Sequence, residues 1–296
     1  MDVLSVVLLM LTVAFSAGRN ILSKSISGSP FGSSGFFRAQ TMTFLFGSLV
    51  LAVTGVSGLG NVSSLTLLYA FIYGCLLISA QWCYTSALKN GNTGICSTVY
   101  SLGFIIPTLS GALFWQEDLT GMNLLGIACV IPAVLISGKK GKKAADKVSA
   151  GNNKFIVPLV AAMLSSGGLG VMQKVQQKSA FADQRAVFVW IAFLFACAAS
   201  LTGYVCTKKK DEIILKNGTG KGLYLSGGIG VCFASSNLLN TTLAGRMDSA
   251  VFFPVNNISV ILVSLLLGVV IFKERIGKKE LTVLGLGILS ILLLCG

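Results

Sequence analysis

Histidine is absent from these 296 residues. Its absence removes imidazole acid–base chemistry, a Ser-His-Asp triad and histidine metal sites together. Carboxylates are scarce too, ten against 23 lysines and arginines. All ten can be placed: Asp2, Glu117, Asp118, Asp146, Asp183, Asp211, Glu212, Asp248, Glu274 and Glu280, none near the middle of an apolar run. An intramembrane carboxylate is the usual proton carrier and cation partner. Lacking one, the chain is not expected to couple to protons through a central acid, and organic cations become poor ligands. With no acidic cluster at a useful depth either, neither an enzyme nor a bound metal or cofactor is expected.

Apolar residues make up 54% of the chain and charged residues 11%, and the mean hydropathy is +0.82. That composition belongs to a membrane protein. A hydrocarbon core about 30 Å thick is crossed by about 20 helical residues. Runs of that kind occur at Val3–Leu22, Ser34–Val56, Leu65–Leu88, Thr93–Trp115, Leu119–Ser137, Phe155–Gln176, Ala186–Cys206, Gly222–Ala244, Ser249–Phe272 and Glu280–Cys295. They are about twice the length of a barrel strand and do not alternate, so the expectation is an all-α, polytopic protein with ten transmembrane helices. The first run is read as a helix rather than a cleaved signal, because Asp2 and not lysine precedes it. Eight cysteines lie in or beside the apolar runs without metal-ligand spacing, and are expected as small buried hydrophobes.

Glu117 and Glu274 each end an apolar run, and they lie 157 residues apart. Sliding the chain by that amount aligns 72–124 with 229–281 without a gap, matching Cys75 to Cys232, Ser79 to Ser236, Thr85 to Thr242, Gly111 to Gly268 and Glu117 to Glu274. At a shift of 150, FSAGRNILSK (15–24) matches SSGGLGVMQK (165–174) at Ser, Gly and Lys. Two five-helix repeats are expected, 1–138 and 155–296, joined by the basic linker 139–154. Five is odd, so the second repeat enters the membrane from the opposite side, and the repeats are inverted.

These features carry a resemblance. Two five-helix repeats, each with a fourth helix ending in a glutamate (Phe114-Trp115-Gln116-Glu117-Asp118-Leu119 and Ile271-Phe272-Lys273-Glu274-Arg275-Ile276) and a glycine-rich fifth helix, resemble the drug/metabolite transporter superfamily, especially its EamA branch. Pro107 and Arg38 agree with it; the second repeat has Ser264 where Pro107 would recur. The resemblance implies a secondary transporter of small metabolites, often outward, in the cell's inner membrane, through a cavity lined mainly by helices 1, 3, 4, 6, 8 and 9. The central helix 1 glutamate of small multidrug-resistance relatives is missing here.

Small residues recur every fourth position at Gly222, Ser226, Gly230 and Ala234, at Ala162, Ser166 and Gly170, and at Ala192, Ala196 and Ser200. Such ladders let helix backbones approach closely. Among the polar residues inside apolar runs are Gln81 and Tyr84 on helix 3, Tyr100 on helix 4, Asn237 and Asn240 on helix 8, and Asn256 and Asn257 on helix 9. Each must find a partner or line a wet cavity; interhelical glue and substrate contact weigh about equally. Pro254, a turn before Asn257, frees a backbone carbonyl or merely kinks its helix. Trp115 and Trp190, near helix ends, are expected as interfacial anchors. Arg19, Lys24 and Lys174 lie towards helix ends, where snorkelling is the first reading. If one faces a cavity instead, it favours an anionic or zwitterionic metabolite over a cationic one, and amino acids fit. The candidate cavity residues are thus Arg19, Gln81, Tyr84, Tyr100, Asn237, Asn240 and Asn257, with Lys174 behind them.

The net charge of +13 does not point to nucleic acid, because the lysines cluster in 139–154, 207–221 and 275–279 at membrane edges. There they signal topology. Positive-inside places those loops in the cytoplasm and both termini outside, whereas the resemblance implies cytoplasmic termini; the two criteria disagree. A structural or sensory membrane protein and, further off, a membrane enzyme are the alternatives to transport. The partners expected are a small metabolite and the lipid bilayer; the sequence gives no oligomeric state.

Overall fold

The computed structural model describes residues 2–26, 33–90, 93–137, 155–208, 219–272 and 277–295. The basic linker, the charged stretch 209–218 and Glu274 lie outside them. Among the described residues regular structure is entirely helical. The α-helices are α1 (Val3–Ile26), α2 (Ser33–Gly55), α3 (Ser64–Asn90), α4 (Thr93–Ser101), α5 (Ile105–Trp115), α6 (Gly121–Ser137), α7 (Ile156–Lys178), α8 (Arg185–Lys208), α9 (Thr219–Arg246), α10 (Ser249–Phe272) and α11 (Lys278–Cys295). A helix satisfies its own backbone, which is the requirement lipid imposes on a crossing segment.

Six stretches are long and apolar enough to cross a membrane: those built on α1, α2, α3, α7, α8 and α10. That is the mark of an integral, multi-pass helical membrane protein. Among the described residues there are also three shorter apolar stretches, Val99–Trp115, Gly121–Ile136 and Leu281–Cys295. The segment α9 is 28 residues long, and Ser235, Ser236, Asn237, Asn240, Thr241 and Thr242 gather polar groups in its second half. Of the ten expected crossings, then, six meet the length and hydropathy requirement among the described residues.

The fourth expected run is not one helix. A three-residue 3-10 turn, Leu102–Phe104, separates α4 from α5. Pro107 explains it: proline lacks the N–H that would bond the residue 103 carbonyl, and its ring crowds that carbonyl. The other proline singled out, Pro254, lies inside an α10 that remains helical throughout.

The chain forms two compact units. One holds residues 1–6, 79–174 and 243–296, the other residues 7–78 and 175–242. Both draw on each of the sequence halves 1–138 and 155–296, and α1, α3, α7 and α9 have residues in both.

In the 7–78/175–242 unit, α2 packs along α8. Glycine on one helix repeatedly receives an aromatic ring from the other. A Cβ on Gly203 would lie 2.6 Å from Phe37, one on Gly47 2.8 Å from Phe193, and one on Gly55 2.8 Å from Trp190. Residue numbers rise on one helix as they fall on the other, so the pair is antiparallel. The small-residue ladders belong to such contacts. A Cβ on Gly74 of α3 would meet the Ala192 carbonyl at 2.8 Å, and Gly230 of α9 sits against the Thr43 carbonyl and the Gly47 amide of α2.

In the other unit α5 packs on α10 and α6 on α11. Gly126, near the start of α6, lies against Leu294 near the end of α11 and accepts a 2.9 Å hydrogen bond from the Ser290 hydroxyl. The third ladder, on α7, meets the broken fourth run: Gly103 touches Ser166 and Gly167, and Gly170 touches Pro107 and Phe253.

All eight cysteines are free thiols. Cys96 is buried as expected, but Cys75, Cys206 and Cys295 are exposed. Their apolar helix faces point out of the protein, where lipid rather than a core accepts a small hydrophobe. Trp190, near the start of α8, is half-buried over Gly55 at the end of α2.

Candidate functional site

The candidate residues fall into one cluster in each unit. In the 1–6/79–174/243–296 unit, the Tyr84 and Tyr100 rings meet at a 45° tilt with centroids 4.7 Å apart. One residue on, the Ser101 carbonyl accepts a 3.1 Å hydrogen bond from the Asn257 amide. The break in the fourth run accounts for it. The Ile105 N–H turns back to Leu102 and Gly103 rather than to Ser101, whose carbonyl is left able to accept from Asn257. Gln81 lies one turn before Tyr84, its carbonyl accepting 2.8 Å from the Thr85 hydroxyl. Tyr84 borders a small apolar cluster of Ala87, Cys96 and Leu159.

The same unit holds the best-buried charges among the described residues. Lys174, expected to snorkel, is instead 1% exposed, with its ammonium 2.5 Å from Glu117 Oε1, whose side chain is 5% exposed. Snorkelling fails because a carboxylate is within reach, and a buried charge is tolerated when paired and hydrogen-bonded. The remaining groups are met from two further segments. The ammonium also donates to the Met247 carbonyl at 2.9 Å, and Glu117 Oε2 accepts from the Ser249 amide at 2.6 Å. That amide opens α10, where a helix N-terminus favours an anion.

Local sequence brings Glu117 into place. Gln116 takes a left-handed conformation with φ of 53° and the Glu117 amide bonds back to the Gly111 carbonyl at 3.2 Å, which ends α5 in a tight reversal. The carboxylate then lies where a Cβ on residue 111 would have to be, since that Cβ would meet Glu117 and Ser249. Burial pushes the Glu117 carboxyl up, but the Lys174 ammonium and the Ser249 N–H outweigh it and hold it below its ordinary value of 4.5.

In the 7–78/175–242 unit, the Arg19 guanidinium lies 4.7 Å from the centre of the Phe233 ring, a cation–π contact. The side of Phe233 is fixed by Phe44 and Phe193, at 6.0 Å and 5.5 Å between centroids. One turn along α9, Asn237 is 6% exposed; its amide donates to the Phe233 carbonyl at 2.7 Å and its Oδ1 accepts from the Tyr73 hydroxyl at 2.5 Å. Both ends of that amide have partners in the protein, which is the arrangement of interhelical glue. Asn240 is half-buried on the same helix. At the edge of this unit a polar hollow of about 230 Å³ includes Gln184. The Gln184 side chain already joins Asn61, Ser63 and Thr66, and no candidate residue lines the hollow.

Two partners escaped the sequence reading. Tyr73 sits in an apolar stretch with nothing to distinguish it from a core tyrosine. The Glu117–Lys174 pair left one signal: the repeat alignment marks both residues as recurring charges, each in need of a counter-ion.

No family model and no curated protein matches the chain. Solved structures do: 28 chains match. One of them, described as the crystal structure of a protein, superposes with a TM-score of 0.74 at 15% identity, over 99% of this chain and 96% of its own. Such a likeness shows a shared fold.

Proposed function

We propose that the chain is a secondary membrane transporter of a small polar metabolite such as an amino acid, of the ten-helix EamA-like type, working by alternating access. The reading rests on one observation above others. Helices that correspond between the two sequence repeats are partners in space: second with seventh (α2 with α8), fourth with ninth (α5 with α10), and fifth with tenth (α6 with α11). Where contacts fix the direction, the partners are antiparallel. Gly47 and Gly55 meet Phe193 and Trp190 in falling order, and Ser101 and Gly111 meet Asn257 and Ser249 likewise. Inverted repeats give two similar packings, one open to each side, and alternating access is the use made of them.

The glycine contacts support it further, since small residues let the paired helices of the two repeats approach closely in lipid. The break at Leu102–Phe104 beside Tyr84, Tyr100 and Asn257 is the kind of discontinuity that supplies backbone groups to a ligand.

Counterflow tests the reading. Purified protein in proteoliposomes preloaded with unlabelled amino acids should accumulate the labelled amino acid transiently and saturably, and empty vesicles should not. Absence of exchange across amino acids, organic acids and sugars would instead favour a structural or sensory role.

A further inference from the structure

The duplicated chain treats its two polar clusters differently. At the repeat shifts, Lys174 and Glu117 have counterparts of the same type, Lys24 and Glu274. Arg19 and its neighbours have none: Arg19 corresponds to Leu169, Phe233 to Leu76, Asn237 to Ala80 and Tyr73 to Gly230.

The chemistry of the asymmetric cluster is specific. A guanidinium presents five N–H donors in a planar fork and no acceptor. Arg19 has one face on Phe233 and, among the described residues, no carboxylate within ion-pair reach. It is half-buried and lies seven residues, roughly 10 Å of helix, before the end of α1 at Ile26. Phe233 is 6% exposed and boxed by two more rings, while the Tyr73–Asn237–Phe233 bonds fix that turn of α9. The guanidinium is therefore held by a rigid platform, and no described carboxylate pairs with its donors.

We propose that Arg19, seated on Phe233, recognises a carboxylate or phosphate group of the transported substrate. This rests on the transport reading and narrows its substrate to anions and zwitterions. A phospholipid headgroup offers the same oxyanion chemistry, so the test must separate the sources.

The test uses the full-length protein, its Arg19→Gln and Arg19→Lys variants, and Arg38→Gln as a control. Arg38, in the second turn of α2, has no ring platform or carboxylate partner among the described residues. Thermal shift in detergent compares free amino acids with their neutral amides, and with inorganic phosphate. Counterflow is then run in phosphatidylcholine vesicles and in vesicles containing a quarter phosphatidylglycerol. We expect at least one carboxylate or phosphate probe to stabilise the wild type, with the matching neutral amide inactive. Arg19→Gln should raise the half-saturating concentration roughly tenfold to a hundredfold, the loss of a charge-assisted hydrogen bond. Arg19→Lys should recover part of it, and Arg38→Gln should behave as wild type. Four outcomes overturn the proposal: no anionic probe stabilises the protein, the amide serves as well as the acid, Arg38→Gln loses as much as Arg19→Gln, or the Arg19 effect appears only with phosphatidylglycerol. Anion binding lost in Arg19→Gln but without counterflow would uphold the site and remove the transport reading. Counterflow of an anion unchanged in Arg19→Gln would do the reverse.

Discussion

In the unit containing residues 79–174, a lysine lies 1% exposed against a carboxylate; in the unit containing residues 7–78, an arginine stays half-buried over a phenylalanine with no described carboxylate beside it. Both come from apolar helices, so the lipid environment alone does not explain the difference. Charge in a membrane is neutralised wherever a partner of opposite sign is available. Glu117 reaches Lys174 because α5 ends in a left-handed turn at Gln116 and because residue 111 is glycine. On the proposal above, the contrast separates a charge held for architecture from a charge that meets a ligand.

The largest effect should come from breaking the paired cluster. Lys174→Met leaves Glu117 buried without its cation, a change of about 3–5 kcal/mol. The melting temperature in detergent should fall by about 5 °C or more. Gly111→Val should do similar damage by occupying the place of the carboxylate, and a wild-type melting temperature in either variant would mean the pair is not structural.

A pH titration sharpens the same side of the comparison. The Glu117 carboxyl lies below its ordinary value in the folded protein, so its stabilisation is fully present above about pH 4.5 and is lost as the pH falls through the depressed value. Melting temperatures of wild type and Glu117→Gln should differ at pH 7, and the gap should shrink as the pH falls from about 4.5 through the depressed value. A gap that stays constant over the whole acid range in which the protein remains folded would contradict the assigned charge state.

Smaller effects are expected in the other unit. Tyr73→Phe removes the donor to Asn237 Oδ1 and should cost about 0.6–1.7 kcal/mol, the range for interhelical hydrogen bonds in membranes. Asn237→Ala should reduce flux more than folded yield if the amide serves the ligand, and equally if it is glue; its two internal partners favour the second. The least consequential substitution should be Asp2→Asn. Its carboxylate caps the Ser5 amide at 3.3 Å and meets Arg246 at 3.3 Å, but the pair is exposed, and exposed pairs contribute little. The melting temperature should be unchanged within error.

Much of the architecture was legible in the sequence. Charge-free runs marked the helices because lipid demands them, and ladders such as Ala192–Ala196–Ser200 marked close packing, as Gly74 against Ala192 shows. The glutamate after Trp115 was legible as a helix end, and Gly103 with Pro107 held the signal for the break in the fourth run. Pairings were not legible. Lys174 and Glu117 meet through a tertiary approach that no local pattern encodes, so their position near helix ends argued for snorkelling instead. Tyr73 was invisible for the same reason. The polar content of α9 was visible as isolated asparagines, but its consequence, a helix less apolar than the others, emerges only over all 28 residues.

The most direct test of the account sets the two cations side by side: melting temperature and counterflow half-saturation for Arg19→Gln and Lys174→Met in the same preparation. The account predicts that Arg19→Gln melts within about 2 °C of wild type yet needs roughly tenfold more anionic substrate for half-saturation, while Lys174→Met melts well below both. An Arg19→Gln variant that melts as low as Lys174→Met, or that exchanges substrate with unchanged half-saturation, would contradict it.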